Sequence, residues 1–340
     1  MSIINKKRHY PLFLLLVFSS FFSCSNEFEL NAPAKEIPIV YGLLSRAEPV
    51  HYVRVERAFL EEKTNAFDLA QLPDQLYFED IIVEIGEEGS NKKVRLQRID
   101  GSTTGLARAE GIFATTPNIL YSINASELPL REEVVYRLTV RKQNTEEILT
   151  TAITPIVSDL RLNRPIPGVN KRAFRILDDN EITVIWAADE TAKFFDVKMH
   201  IHYEEWNPND LNTLETKTLT WTLAKNQAAI DGANKVELPG LDFYRFLAST
   251  LPVDVTRLRR LTTIDLSIDA GGEELFNYIN VGQANTGITS AQVLPVYTNL
   301  STGLGIFASR NSFLESDFVI DSATRDFLKD GDLTKDLNFR

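Results

Sequence analysis

The chain is poor in the side chains that most often carry chemistry. It has one cysteine, four histidines and two methionines among 340 residues. A lone cysteine excludes an internal disulfide, and with it the stapled frameworks of small secreted domains. Basic residues are also scarce, with 36 Lys and Arg against 47 Asp and Glu and a net charge of −11. Phosphate contacts need a basic face, so nucleic acid is not an expected partner. Glycine (16) and proline (14) are too few for a collagen-like or low-complexity chain. No G-x-S-x-G elbow, H-E-x-x-H helix or Walker loop occurs. Past the N-terminus, no apolar run reaches the ~20 residues that cross a bilayer.

What is present begins with Lys6, Lys7 and Arg8, followed by a run from Pro11 to Phe22 whose only polar members are Ser19 and Ser20. That run is too short to span a membrane and has the length of a signal-peptide core. Phe21-Phe22-Ser23-Cys24 follows at once, and Cys24 is the sole cysteine. A small residue before a Cys at this point reads as a lipobox, so 1–23 is expected to be a lipoprotein signal peptide with Cys24 as the lipidated residue. Cleavage there removes three basic residues and no acidic one, which takes the net charge from −11 to −14. Anionic headgroups repel a body so acidic, so the membrane partnership has to come from acyl chains, at about 0.8 kcal/mol per buried CH₂. Residues 24–36 are polar and aperiodic and read as a lipidated tether.

From Ile37 the pattern has period two. Candidate strands lie at Ile37–Leu44, Tyr52–Arg57, Ile81–Ile85, Val94–Leu96, Ile119–Ile123, Val134–Arg141 and Ile148–Ile153. Seven short strands separated by turn residues predict an immunoglobulin-like antiparallel sandwich over 37–157. Leu60–Gln75 is longer and polar, an excursion from the sandwich. Pro155–Gly168, with Pro165, Pro167 and Gly168, marks a domain boundary. Over 158–340 strands are expected at Ile182–Trp186, Phe194–Glu204, Leu219–Leu223, Thr262–Ile268, Gln292–Tyr297 and Leu304–Ala308. Helical spacing at Leu241–Leu251, Leu275–Ile279 and Thr324–Lys329 interrupts them. The fold class is therefore mainly β, the second domain being β-rich with short helical insertions and a fibronectin-III-like arrangement its open option.

This assembly resembles a known family. It combines the lipobox Cys, the strand Ile37-Pro38-Ile39-Val40-Tyr41-Gly42-Leu43-Leu44 and the segment His51-Tyr52-Val53-Arg54-Val55-Glu56-Arg57. The strand Val135–Val140 and the late Gly303-Leu304-Gly305-Ile306-Phe307-Ala308 complete it. Together they are similar to the DUF4249-type lipoproteins of Bacteroidota, a family of unknown function. Its members tend to be encoded near TonB-dependent outer-membrane transporters. The resemblance implies an outer-membrane lipoprotein with a transporter or another envelope protein as partner, and it carries no catalytic residues. Glu27 and Glu29, just after Cys24, resemble the export signal that sends such lipoproteins to the cell surface, and a solvated linker accounts for the same residues.

Candidate site residues are few. His200, His202 and Glu204 share one face of a strand and form a candidate transition-metal set, although Asp196 and Lys198 on that face suit a solvated surface equally well. Trp206, carried on the turn-rich tip Trp206-Asn207-Pro208-Asn209-Asp210, is a candidate glycan-stacking ring, or else packs beneath its own loop. Asp178-Asp179-Asn180-Glu181 and Asp330-Gly331-Asp332 offer oxygen ligands without EF-hand spacing. Asp321-Ser322-Ala323 fits a short bacterial O-glycosylation pattern. No catalytic residue and no cofactor is assigned. The functional expectation is a non-catalytic binding or accessory module. The alternative is a surface hydrolase acting on glycans or peptides with carboxylates drawn from distant parts of the chain.

If acyl chains at Cys24 hold the protein, wild type incorporates labelled palmitate and sediments with membranes. Cys24→Ala loses the label and leaves the membrane fraction, and an unlabelled wild type would remove the assigned address.

Overall fold

The structure is a computed structural model describing residues 37–58, 70–168, 173–230, 233–284 and 296–340. Cys24, the tether and most of the Leu60–Gln75 excursion lie outside these residues. All described residues belong to one compact unit, Glu36–Arg340.

Fifteen strands are described. The first eight are β1 (Ile37–Ser45), β2 (Val50–Ala58), β3 (Ile81–Glu87), β4 (Lys93–Arg95), β5 (Gln97–Asp100), β6 (Ile119–Asn124), β7 (Val135–Lys142) and β8 (Ile148–Pro155). They are followed by β9 (Arg161–Arg164), β10 (Glu181–Ala187), β11 (Phe194–Asn207), β12 (Asp210–Ala228), β13 (Ala233–Pro239), β14 (Leu258–Gly271) and β15 (Leu304–Phe318). The helices are α1 (Pro73–Leu76), α2 (Gly240–Thr250), α3 (Glu273–Ala284) and α4 (Ser322–Asp330). The fold is mainly β, as the periodicity predicts.

One eight-stranded sheet runs through the molecule in the order β12-β11-β14-β15-β1-β2-β6-β5. Two smaller sheets, β4-β3-β7-β8 and β13-β10-β9, accompany it. Among the described strands every ladder is antiparallel except β1 with β15, which run parallel from Ile39↔Leu304 to Ser45↔Arg310, and two isolated bridges, Phe174 with Ile320 and Arg259 with Phe339, are parallel as well. The first sandwich, expected to be antiparallel, therefore contains a parallel pair.

Alternation decides which face each strand buries. In β1, Val40 and Leu44 are fully buried while Tyr41 and Leu43 point outward. In β11 the odd residues Phe195, Val197, Met199, Ile201 and Tyr203 are buried, and the even ones from Asp196 to Glu204 are half-exposed. The first core packs Val40, Leu44, Val53 and Val55 with Val83, Ile85, Leu138 and Val140. The second packs the β11 stripe and Ile264, Leu266 and Ile268 with Val184, Trp186, Phe243 and Leu247. Burying each such side chain contributes roughly 1.5–3 kcal/mol. The cores part between Ile156 and Val157, yet Leu300 and Phe307 belong to the first.

The C-terminus is tied down by a buried ion pair. Arg259 Nε donates to Glu205 Oε2 at 2.7 Å, and its Nη1 donates to the carbonyl of Leu337 at 3.0 Å. Lys217 Nζ donates to Glu205 Oε1 at 2.8 Å. Burial raises the Glu205 pKa, but hydrogen bonds and charge from Lys217 and Arg259 outweigh it and hold the carboxyl below its ordinary value. The backbone of Arg259 also exchanges hydrogen bonds with Asn338 and Arg340.

Several expectations change. Arg161–Arg164 and Ala233–Pro239 are strands although each shows little apolar alternation, because neighbouring β10 supplies their pairing. Val94 and Leu96 do not share one strand. The chain breaks at Leu96, sending β4 to one sheet and β5 to the other. Val296 and Tyr297, the described end of the expected Gln292–Tyr297 strand, are not in a strand. Asp321 caps α4 by accepting from the Thr324 N–H at 2.8 Å, which makes this helix firmer than its short pattern suggests.

His51 is buried at the end of β2. Burial pulls its pKa below the ordinary 6.5, against the opposing pull of the Leu128 carbonyl and Glu48. Protons therefore bind the unfolded chain first, so stability is complete above about pH 6.5 and falls as pH drops through that value. His200, whose pKa burial also lowers, adds to the same slope. Melting temperatures followed from pH 7.5 to 5 are expected to decline, with a shallower decline in His51→Leu.

Candidate functional site

The His200–His202 face is a set of polar rungs across three strands. His200 Nδ1 lies 3.1 Å from Thr220 Oγ1 on β12, and its Nε2 lies 2.9 Å from Ser267 Oγ on β14. His202 Nδ1 lies 2.8 Å from Thr218 Oγ1 and its Nε2 2.9 Å from Asp265 Oδ2. Since the carboxylate only accepts, Nε2 of His202 carries the proton and, in the neutral ring, Nδ1 accepts from Thr218. Glu204 is held by Arg260, whose Nη2 donates to it at 2.5 Å. Both imidazoles and the carboxylate thus have partners of their own. No group of three or more His, Cys, Asp or Glu among the described residues is arranged to hold a metal ion.

The order Asp265–His202–Thr218 is that of a carboxylate–imidazole–hydroxyl relay. Acyl transfer also needs donors aimed at the developing oxyanion and walls that exclude water. Thr218 stands exposed on the open face of an edge strand, which supplies neither. Glycoside hydrolysis would need two facing carboxyls, one with a raised pKa. Among the described carboxylates with displaced pKa values, only Glu274 is displaced upward. Burial is the chief cause, and the carboxylate acting on it is its chain neighbour Glu273.

Trp206 lies within β11, half-buried, rather than on the turn. The turn residues form the hairpin that joins β11 to β12, with Asn207 opposite Asp210. Trp186 is a core residue against Phe195, while Trp221 is half-buried, packed on that core and stacked on Phe246. In the acidic clusters Asp332 is paired with Lys335 and the Asn180 backbone is bonded within its turn. Ser322 is exposed in the first turn of α4, beside its cap Asp321.

A concave site lies elsewhere. The outward faces of β1, β2, β6 and β15 meet α3 in a groove of about 500 Å³. Tyr41, Leu43, Tyr52, Leu275, Tyr278 and Ile306 make its apolar wall. The more exposed charges at its margin are paired, Arg310 with Glu48 at 2.9 Å and Arg54 with Glu56 at 3.3 Å, and Arg54 also donates to Asn118 at 2.8 Å. Another groove, of about 540 Å³, is lined by Asp189, Glu190, Lys193 and Phe276 and lacks such an aromatic cluster.

Local sequence explains how α3 reaches the groove. Gly271 and Gly272 end β14, and a Cβ on Gly271 would stand 2.1 Å from the Phe194 ring. The Gly272 N–H donates to Ser309 of β15 at 3.0 Å, fixing the exit direction. Phe276 then stacks on Phe194 with centroids 6.0 Å apart, while Tyr278 meets Tyr41 edge-on at 6.5 Å. Burial, a hydrogen bond with Tyr278 and nearby negative charge push the Tyr41 hydroxyl up to about 12. An apolar, aromatic concavity with a few polar groups suits ligand or partner binding. The only hint of it in the sequence was the unbroken apolar run Val40–Leu44, which leaves Tyr41 and Leu43 without an inward place.

Tyr278→Phe removes the hydrogen bond but leaves the burial. The Tyr41 pKa is then expected to fall from about 12 toward, without reaching, its ordinary 10.0. An NMR titration of ring-labelled tyrosine, following the Tyr41 signal in the two proteins, reads this directly, and an unchanged Tyr41 midpoint would refute the pairing.

No family model matches this chain, and no curated protein matches it. Solved structures are similar to it at low levels. A cytokine receptor complex has 11% identity and a TM-score of 0.23, over 69% of this chain and 92% of that one. The FN1–FN3 domains of chicken CNTN1 have 14% identity and a TM-score of 0.23, over 71% of this chain and 60% of theirs. The C-terminal globular domain of an oligosaccharyltransferase from Pyrococcus abyssi has 12% identity and a TM-score of 0.19, over 85% of this chain and 49% of that one.

Proposed function

We propose that this chain is a lipid-anchored protein of the cell envelope that acts as a non-catalytic binding or accessory module. Its partner in this reading is an outer-membrane transport system of the TonB-dependent kind, as the resemblance to DUF4249-type lipoproteins implies. The observation that carries the binding role is the groove between β1 and α3. It brings three tyrosines, five aliphatic side chains and two neutralised guanidinium groups to one concave surface. Aromatic residues and arginine are the side chains most enriched at the energetic centres of interfaces. The polar rungs of β11, β12 and β14 support the same reading, because each reactive group there is occupied by a structural partner.

A tagged copy, crosslinked in cells and purified from detergent-solubilised outer membranes, is expected to bring down an outer-membrane transporter. The double variant Tyr41→Ala/Tyr278→Ala is expected to lose that partner at least tenfold while keeping its membrane fraction, since losing one interface hot spot costs ~2 kcal/mol or more. A wild-type protein that repeatedly comes down alone would end the accessory reading. A double variant that still retains its transporter would move the contact away from the groove.

A further inference from the structure

The first core is built from residues between Val40 and Ile156, with two exceptions drawn from near the other end of the chain, Leu300 and Phe307. The segment that brings them holds both sheets of the first sandwich. On one side, Leu304–Arg310 of β15 lies parallel to β1 over seven residue pairs. On the other, the chain just before it closes the free edge of β8. The Ser301 N–H donates to the Thr151 carbonyl at 2.7 Å, and Asn299 Nδ2 donates to the Ile153 carbonyl at 3.0 Å. Asn299 also clamps Phe307, accepting from its N–H at 3.0 Å and donating to its carbonyl at 2.7 Å.

The place this segment occupies is selective. Gly303 and Gly305 have φ of +100° and +105°. A Cβ on them would lie 2.1 Å from the Pro38 carbonyl oxygen and 2.0 Å from that of Val40. Only glycine combines that backbone with that approach. Opposite Phe307 in register stands Gly42, where a Cβ would come within 2.9 Å of the phenyl ring. The missing side chain on β1 is thus the hole that the Phe307 ring enters. Backbone pairing plus a side-chain pocket is how sheets recognise added strands. Beyond Arg310 the same strand changes partner and pairs antiparallel with β14, from Gly271↔Arg310 to Ile264↔Phe318.

We propose that the space between β1 and β8 is a strand-accepting site for an extended peptide of the pattern Gly-x-Gly-x-Phe, running parallel to β1. The chain fills it with its own residues 299–310. Without that occupant β1 is an open edge, β8 loses its cover and the Phe307 hole is empty. The first core therefore closes only once the C-terminal part of the chain has been delivered, and residues 37–157 by themselves are an acceptor in want of a strand. A chain that emerges N-terminus first keeps this half open until its last strand arrives.

Two experiments on the full chain test this. In Gly305→Val the chain's own segment cannot seat. Amide exchange is expected to lose protection at β1 and β7 while β11 and β14 keep theirs. A synthetic peptide of native residues 297–310 is expected to restore the lost protection, and the same peptide carrying Gly305→Val is not. Unchanged protection in the variant, or no recovery with the native peptide, would overturn the proposal. The second experiment needs no variant and holds if Gly305→Val fails to fold at all. Pulse-labelled exchange during refolding of wild type should protect Val40–Leu44, Leu138–Val140 and Ile306–Ser309 in one phase. Protection of the first core in an earlier phase than Ile306–Ser309 would equally overturn it.

Discussion

The parallel pairing of β1 with β15 is the contact on which the rest of the architecture depends. Sheets have edges, and an edge is a row of unpaired donors and acceptors. Here the two sandwiches remove one edge each by sharing a strand. The first half of β15 completes the sheet of the first core and the second half completes that of the second, so a single sheet of eight strands passes through both. Unseating the first half of β15 opens the first core, and unseating its second half opens the second. The relation between the two cores is therefore built into the hydrogen-bond ladder of one compact unit.

That shared strand also shapes the candidate site. Because β15 lies beside β1, the helix that leaves β14 emerges over the outward face of the first sheet. Gly272 bonded to Ser309 sets the direction, and Phe276 on Phe194 holds the helix down. Tyr41 and Leu43, exposed on the outward face of β1, form one wall of a groove whose other wall is Leu275 and Tyr278. The opposite end of the large sheet shows what the same geometry does without a covering helix. There the outward face of β11 carries His200, His202 and Glu204, each satisfied across the strands by Thr220, Ser267, Thr218, Asp265 or Arg260. One outward face gathers apolar rings into a concavity and the other ties polar groups into rungs.

Much of the strand content was legible in particular residues. The alternation from Phe195 to Tyr203 marks β11 and its buried side, and Val134–Arg141 marks β7, because a half-buried strand must alternate. The helix from Leu241 was readable between Pro239-Gly240 and Pro252. Strands that borrow their stability were not readable. Arg161–Arg164 and Ala233–Pro239 have few apolar positions and exist because β10 offers them partners on both sides. Val94 and Leu96 looked like one strand, and Leu96 is instead where the chain changes sheets. The groove was hidden for a related reason. Its margin pairs Glu48 with Arg310, 262 residues apart, and no local pattern records such a meeting.

By itself the sequence determined a mainly β body, the buried side of β11 and the scarcity of thiols and imidazoles, since these follow from residue type and a period of two. Which strand lies beside which was decided only in three dimensions. Pairing obeys backbone hydrogen bonds that every residue can make, so partner choice falls to close approaches such as Gly305 on Val40 and Phe307 in the space left by Gly42. Those approaches join residues remote in the chain, and they have no signature until the chain is folded.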